Sequence, residues 1–128
     1  MTTHPSTMRA AFLHGRLDVR VEPVPVPEIE RPEEVKIAIE YAGICGSELH
    51  MIDLTLLEGE VAPAAPLHIP LGHEYAGQVV EVGDAVRTVA VGQRVTVSPR
   101  GPCFACDLCR NGARDICRKM TQRGGAWA

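Results

Sequence analysis

The sequence predicts a mainly β domain with a projecting metal lobe, and three observations carry that reading. Apolar and polar residues alternate over several short segments, the period of half-buried strands. Ten prolines and twelve glycines punctuate 128 residues too often for a helical bundle. Four cysteines, Cys103, Cys106, Cys109 and Cys117, fall within fifteen residues near the C-terminal end. The length allows one domain with a modest core.

The elements follow in order. Residues 1–7 are expected to be a loose tail. Residues 8–13 and 17–22 read as two short strands, with His14-Gly15 at the turn between them. Leu17, Val19 and Val21 alternate with Asp18, Arg20 and Glu22. Pro23, Pro25, Pro27 and Pro32 then predict a stiff, extended connector without ladder bonds. Val35 to Tyr41 alternates again, with Val35, Ile37, Ile39 and Tyr41 on one face. Gly43-Ile44-Cys45-Gly46 breaks that strand. Ser47 stands where an N-cap would, before a short helix through about Asp53. Residues 54–71 hold three prolines and read as a loop. Tyr75 to Val82 and Val86 to Val97 carry valine-rich strand signals, with Gly83-Asp84 and Gly92-Gln93 at turns. After the cysteines, Gly124 to Ala128 look like the start of another strand. No repeat or low-complexity segment is present.

The cysteines have the spacing Cys-x2-Cys-x2-Cys-x7-Cys. Short spacers let successive sulfurs turn back on one point, and the longer arm brings the fourth over it. Four thiolates at about 2.3 Å suit the closed tetrahedron of a structural Zn2+. Two rivals exist. A bacterial iron–sulfur run closes with Cys-x3-Cys-Pro, whereas here the arm is longer and Arg118 follows. Disulfides suit a secreted chain, but Met1 to Leu13 lacks the apolar region of an export signal.

Composition removes other classes. A net charge of −3 gives no basic footprint for nucleic acid and no polybasic membrane patch. No run of 18 apolar residues exists to span a membrane. A cytoplasmic, reducing location suits thiolates that hold metal. No Gly-x-Gly-x-x-Gly follows a strand, so these residues offer no dinucleotide site.

One cysteine is left over. Cys45 lies in Gly43-Ile44-Cys45-Gly46-Ser47-Glu48-Leu49-His50, and a histidine and glutamate follow in Gly72-His73-Glu74-Tyr75-Ala76-Gly77. A thiolate and an imidazole on separate loops can supply two of the three protein ligands of an open catalytic zinc. Taken singly each is weak, because a lone cysteine is most often a small buried hydrophobe.

Together with the cysteine lobe, these stretches resemble the N-terminal catalytic domain of zinc-dependent medium-chain alcohol dehydrogenases. The resemblance runs from about Met8 to Ala128. Gly72-His73-Glu74-x2-Gly77-x5-Gly83-x2-Val86 fits that family's zinc-site signature at every fixed position. Cys45-Gly46-Ser47-x-x-His50 looks like its first zinc loop, and Cys103, Cys106, Cys109 and Cys117 like its structural-zinc lobe. The opening Met8-Arg9-Ala10-Ala11 with Asp18-Val19-Arg20-Val21 is most similar to the polyol, butanediol and threonine dehydrogenase branch.

The resemblance implies a GroES-like, partly open β-barrel over residues 8–128, with the zinc lobe at about 101–118. It implies that Cys45 and His73 bind a catalytic Zn2+, with Glu74 as a ligand or a close carboxylate that trades places with water or substrate. Ser47 would touch the substrate hydroxyl and begin a proton relay, with His50 a candidate for its far end. Glu48 stands where the family usually has Asp, the residue that orients the metal-bound histidine. Its longer side chain would have to fold back to do so; otherwise it is a surface helix charge.

The implied activity is oxidation of a small alcohol or diol, with NAD or NADP as acceptor. In the family the nicotinamide domain and the third catalytic zinc ligand lie downstream of the segment seen here. The chain is therefore expected to be a truncated catalytic domain without its nicotinamide-binding Rossmann domain. It is expected to hold one zinc tightly at the lobe and a second weakly or not at all, and to be inactive alone. The face left by the missing domain is expected to be apolar and to favour association, including as a homo-oligomer. From a different class, the chain reads as a zinc-stabilised, non-catalytic binding or assembly module. A zinc-free quinone reductase relative fits poorly, because such proteins usually lack both the lobe and the Cys45/His73 pair.

Overall fold

The backbone organises around two three-stranded antiparallel sheets and a two-stranded ribbon. The computed structural model describes residues 6–53 and 67–122. The elements in chain order are β1 (Thr7–Gly15), β2 (Asp18–Pro25), β3 (Val35–Ala42), α1 (Gly46–Ile52), β4 (Ile69–Pro70), β5 (Tyr75–Val82), β6 (Arg94–Thr96), β7 (Arg100–Gly101), α2 (Asp107–Arg110), a single 3-10 turn (Arg114–Ile116) and β8 (Thr121–Gln122). The expected mainly β architecture stands, as open sheets rather than a closed barrel. Residues 1–5, most of the proline-bearing loop and the strand expected near Trp127 lie outside the described residues.

In the first sheet, β1 lies between β2 and β4. The β1–β2 hairpin turns at Arg16-Leu17, not at His14-Gly15, because Gly15 pairs with Asp18. Leu17 takes a positive φ of 60° there. Its amide donates to the carbonyl of Ile52 at 2.8 Å, which ties the turn to the end of α1. The expected connector is shorter than the proline run suggests. Pro23 and Pro25 sit inside β2, opposite Arg9 and Thr7. They are tolerated because β2 is an edge strand, where a missing donor costs no ladder bond on the open side. Pairing begins at Thr7, and the carbonyl of Ser6 accepts from Val26.

In the second sheet, β5 lies between β3 and β6. Among the described residues, the apolar side chains most fully closed off from solvent come from the central strands, Leu13 in β1 and Val79 in β5. Of the face expected from Val35, Ile37, Ile39 and Tyr41, only Val35 and Ile37 are half-buried. From Ala38 to Ala42 both faces of β3 are open, so Ile39 and Tyr41 face solvent. The β3–β5 ladder also shifts register at Lys36/Ile37 and at Ile39/Tyr41. The valine-rich stretch 86–97 yields a strand only at Arg94–Thr96. Before it the chain turns through Val91-Gly92, and the Gly92 amide and Gln93 carbonyl both bond to Val79.

The β3–β5 register fixes the site. Ala42 pairs with Tyr75 at the end of the ladder. One step on, the Gly43 amide donates to the Glu74 carbonyl at 2.8 Å. The two chains then diverge into the loops that carry Cys45 and His73.

Close backbone approach constrains β5. A Cβ on Gly77 would lie 2.0 Å from the Ala38 carbonyl oxygen, whereas one on Gly46 would meet nothing within 4 Å. Gly77→Ala is expected to destabilise the chain by about 1–3 kcal/mol, as overpacking does. Gly46→Ala should change stability by less than about 0.5 kcal/mol. Urea unfolding midpoints of the two variants check the contrast.

Candidate metal centres

Helix α1 begins at Cys45, not at Ser47. Cys45 holds an extended conformation with ψ 151°, and the Glu48 carboxylate accepts from its amide at 3.0 Å. This is the acceptor half of a capping box, in which the residue three places into the helix reaches back to the cap. The default reading of serine as a cap fails here because Glu48 performs that service. Ser47 is left inside the first turn with its hydroxyl 3.5 Å from His73 Nε2.

Glu48 is not a surface charge. It is 5% exposed. Its second oxygen accepts from the amide of Gly72 at 2.6 Å and lies 3.7 Å from His73 Nδ1. Gly72 has a φ of +107°, open to glycine and strained for other residues. The longer side chain does fold back, and it joins the two loops. His73 thus has one ring nitrogen towards Ser47 and the other towards a carboxylate. Ligand atoms of Cys45, His73 and Glu74 lie within 4.8 Å of one another. Gly43 lets Glu74 in: a Cβ there would stand 3.0 Å from Glu74 Oε2. A shallow cleft of about 420 Å³ opens beside Glu74, lined also by Tyr41, Tyr75 and Thr96. His50 is exposed, one turn along α1 from Ser47.

The four remaining cysteines converge as well, with sulfurs within 4.8 Å of one another and none in a disulfide. Cys106 and Cys117 have sulfurs 3.9 Å apart. Zn–S bonds of about 2.3 Å in a tetrahedron place sulfurs roughly 3.8 Å apart, so the donor set fits that ion. Cys106 caps α2 and accepts from the Cys109 amide at 3.5 Å. The Cys103 and Lys119 amides both donate to the Cys117 sulfur at 3.3 Å. Pairing of Gly101 with Thr121 closes the base, and Arg118 forks onto Asp107 at 2.8 and 3.0 Å.

Without a cation, the thiols differ sharply in acidity. Amides of Cys109 and Arg118 pull Cys106 down to about 6. Amides of Ala105 and Cys106 hold Cys103 below its usual range. Burial, and then the neighbouring thiols, push Cys109 up to about 12.

A third group was not legible in the sequence. His14, Glu22 and His68 also place ligand atoms within 4.8 Å of one another. They are brought together by pairing across three strands, and no local spacing announces that.

The alcohol dehydrogenase GroES-like domain family matches residues 31–128. A sorbitol dehydrogenase of Bombyx mori is 44% identical over 108 residues, covering 84% of this chain and 30% of that protein. Galactitol-1-phosphate dehydrogenase of Escherichia coli superposes with a TM-score of 0.78 at 30% identity, over 94% of this chain and 34% of that one. An NAD-dependent alcohol dehydrogenase superposes at 0.73 with 28% identity, over 93% of this chain and 34% of that one. The fold is that of the zinc-dependent medium-chain dehydrogenases. The chain belongs to their alcohol dehydrogenase GroES-like domain family. It spans about a third of the length of these relatives.

Two tests follow from the geometry. Glu48→Ala leaves the Cys45 and Gly72 amides without an acceptor and is expected to cost about 1–3 kcal/mol in urea unfolding. Amide exchange at those two residues should accelerate together. At the lobe, Zn2+ must displace protons from thiols, so affinity rises with pH. At neutral pH Cys109 still carries its proton, while Cys106 has largely lost its own. Below about pH 6 Cys106 protonates too, and log affinity should fall more steeply with each unit. Competition against a chromophoric chelator measures that slope.

Proposed function

We propose that this chain is the zinc-binding catalytic domain of an NAD(P)-linked oxidoreductase acting on the hydroxyl of a polyol. The observation that carries it is the convergence of Cys45, His73 and Glu74, with the Ser47 hydroxyl 3.5 Å from His73 Nε2. Three ligands of this mixture, one of them an exposed carboxylate, leave a position open, as catalytic zinc sites do. The names of the relatives, which include sorbitol dehydrogenases and D-xylulose reductases, support a polyol. An NAD-dependent structural relative supports the nicotinamide acceptor.

The roles follow from position. Cys45 and His73 would hold the Zn2+, and Glu74 would complete the set or yield to substrate. Zn2+ there supplies Lewis acidity that lowers the cost of removing a hydroxyl proton near neutral pH. Ser47 accepts a hydrogen bond from the substrate hydroxyl and passes its proton outward. His50, one turn along the same helix face, receives it at the solvent boundary. Glu48 holds the His73 ring so that Nε2 faces the ligand cluster, an orientation that tunes metal affinity. Cys103, Cys106, Cys109 and Cys117 would hold a second, structural Zn2+ that leaves no open position.

Cobalt substitution tests the reading on the 128 residues themselves. Saturating sorbitol or a vicinal diol is expected to shift the visible bands of Co2+ at the Cys45/His73 site. Ser47→Ala should weaken that response about tenfold, the loss of one hydrogen bond, while leaving imidazole binding unchanged. Bands indifferent to every polyol would sink the proposal.

A further inference from the structure

We propose that His14, Glu22 and His68 form a third metal site, for a Zn2+-class divalent ion, that clips β4 onto the β1–β2 hairpin. The site is built across three strands of one sheet. His14 comes from the central strand β1 and Glu22 from β2 on one side. His68 immediately precedes β4 on the other. Leu13 pairs with Ile69, so one step further the register brings His68 across from His14. The bulge between Leu13 and Gly15 redirects the chain at His14.

The donors are aimed at one point. His14 Nε2 and Glu22 Oε1 are in direct contact, and His68 Nε2 lies 3.2 Å from Glu22 Oε2. The His68 ring is held in place by Phe12, stacked at 4.2 Å with the planes 2° apart. The His14 ring meets it edge-on at 5.1 Å. The three ligand atoms lie within 4.8 Å of one another. Zn–N and Zn–O bonds of about 2.0–2.2 Å place tetrahedral ligands roughly 3.4 Å apart, so small side-chain rotations close the set. Two imidazoles and a carboxylate suit zinc and its neighbours rather than Ca2+ or Mg2+, which prefer oxygen. Side-chain exposure rises from 21% at His14 through 31% at Glu22 to 55% at His68. The fourth position therefore faces solvent beside His68.

The ion has mechanical work here. Strand β4 is two residues long and pairs with β1 at only two positions, helped by the Leu71 amide on the Ala11 carbonyl. It leads directly into Gly72, His73 and Glu74. A ligand at His68 would fasten the segment that delivers those residues. The proposal is independent of the reading of Cys45 and His73.

The test starts from the chain with its cysteine sites filled with zinc. Added Co2+ is expected to bind as about one further equivalent without a thiolate charge-transfer band. Imidazole NMR signals of His14 and His68 should shift at that stoichiometry. Amide exchange at Ile69 and Leu71 should slow about tenfold when free metal is ten times its Kd. His68→Ala should abolish the extra equivalent and the protection. Glu22→Gln should weaken binding at least roughly tenfold, since it keeps the shape and removes the charge. The idea is overturned if the wild-type His14 and His68 signals ignore Co2+, or if Glu22→Gln binds as the wild type does. The first result would leave a metal-free, hydrogen-bonded triad, and the second would remove Glu22 from the ligand set and with it the three-strand site.

Discussion

One buried carboxylate holds the candidate catalytic centre together. Glu48 accepts from the Cys45 amide with one oxygen and from the Gly72 amide with the other, and the second oxygen also faces His73. Two loops 24 residues apart thereby become one unit. The β3–β5 ladder sets their approach, but it ends at Ala42 and Tyr75. Beyond that point the Gly43–Glu74 bond, the Glu48 bridge and the Ser47–His73 contact hold thiol and imidazole in range. A buried carboxylate is tolerable because N–H donors replace its water. With its two oxygens Glu48 both caps the helix and reaches the far loop.

Legibility in the sequence tracked the range of the interactions. The cysteine lobe was readable because its donors sit within one short segment and spacing alone brings them near one another. Strand β2 was legible as a strand, but not its buried face: Leu17, Val19 and Val21, which alternation points inward, are exposed, because nothing among the described residues packs over them. Strand β3 was legible as a strand, but not the exposure of its second half, where residues on both faces are open and alternation has no core to point to. Ser47 was misplaced because its type suggests a cap, while the actual cap depends on a glutamate three positions on. The pairing of Cys45 with His73 came from resemblance to a family rather than from their own chemistry. His14, Glu22 and His68 had no such precedent, and nothing short of the strand register joins them.

The distribution of buried apolar surface sets the lobe apart. Among the described residues, the buried hydrophobic side chains are Leu13, Val79, Cys109 and Cys117. Half of that set lies in the lobe and consists of candidate metal ligands. The ribbon that closes the lobe's base, β7 with β8, is only two residue pairs long. With so little apolar contact of its own, the lobe would owe its order to an ion held by those cysteines, as other small metal-organised units do. The sheets rest on ladders and on the two central side chains.

The thiols of the lobe are unequal. Backbone amides pull Cys106 down to about 6 and hold Cys103 below its usual range, while burial pushes Cys109 up to about 12. A Zn2+ held there would find one sulfur at the start of α2 already favoured as thiolate and would have to displace the proton of the buried one. Donors of one chemical group are thus divided by their surroundings, two set by amides and one by burial, into an easy and a costly part of the same site.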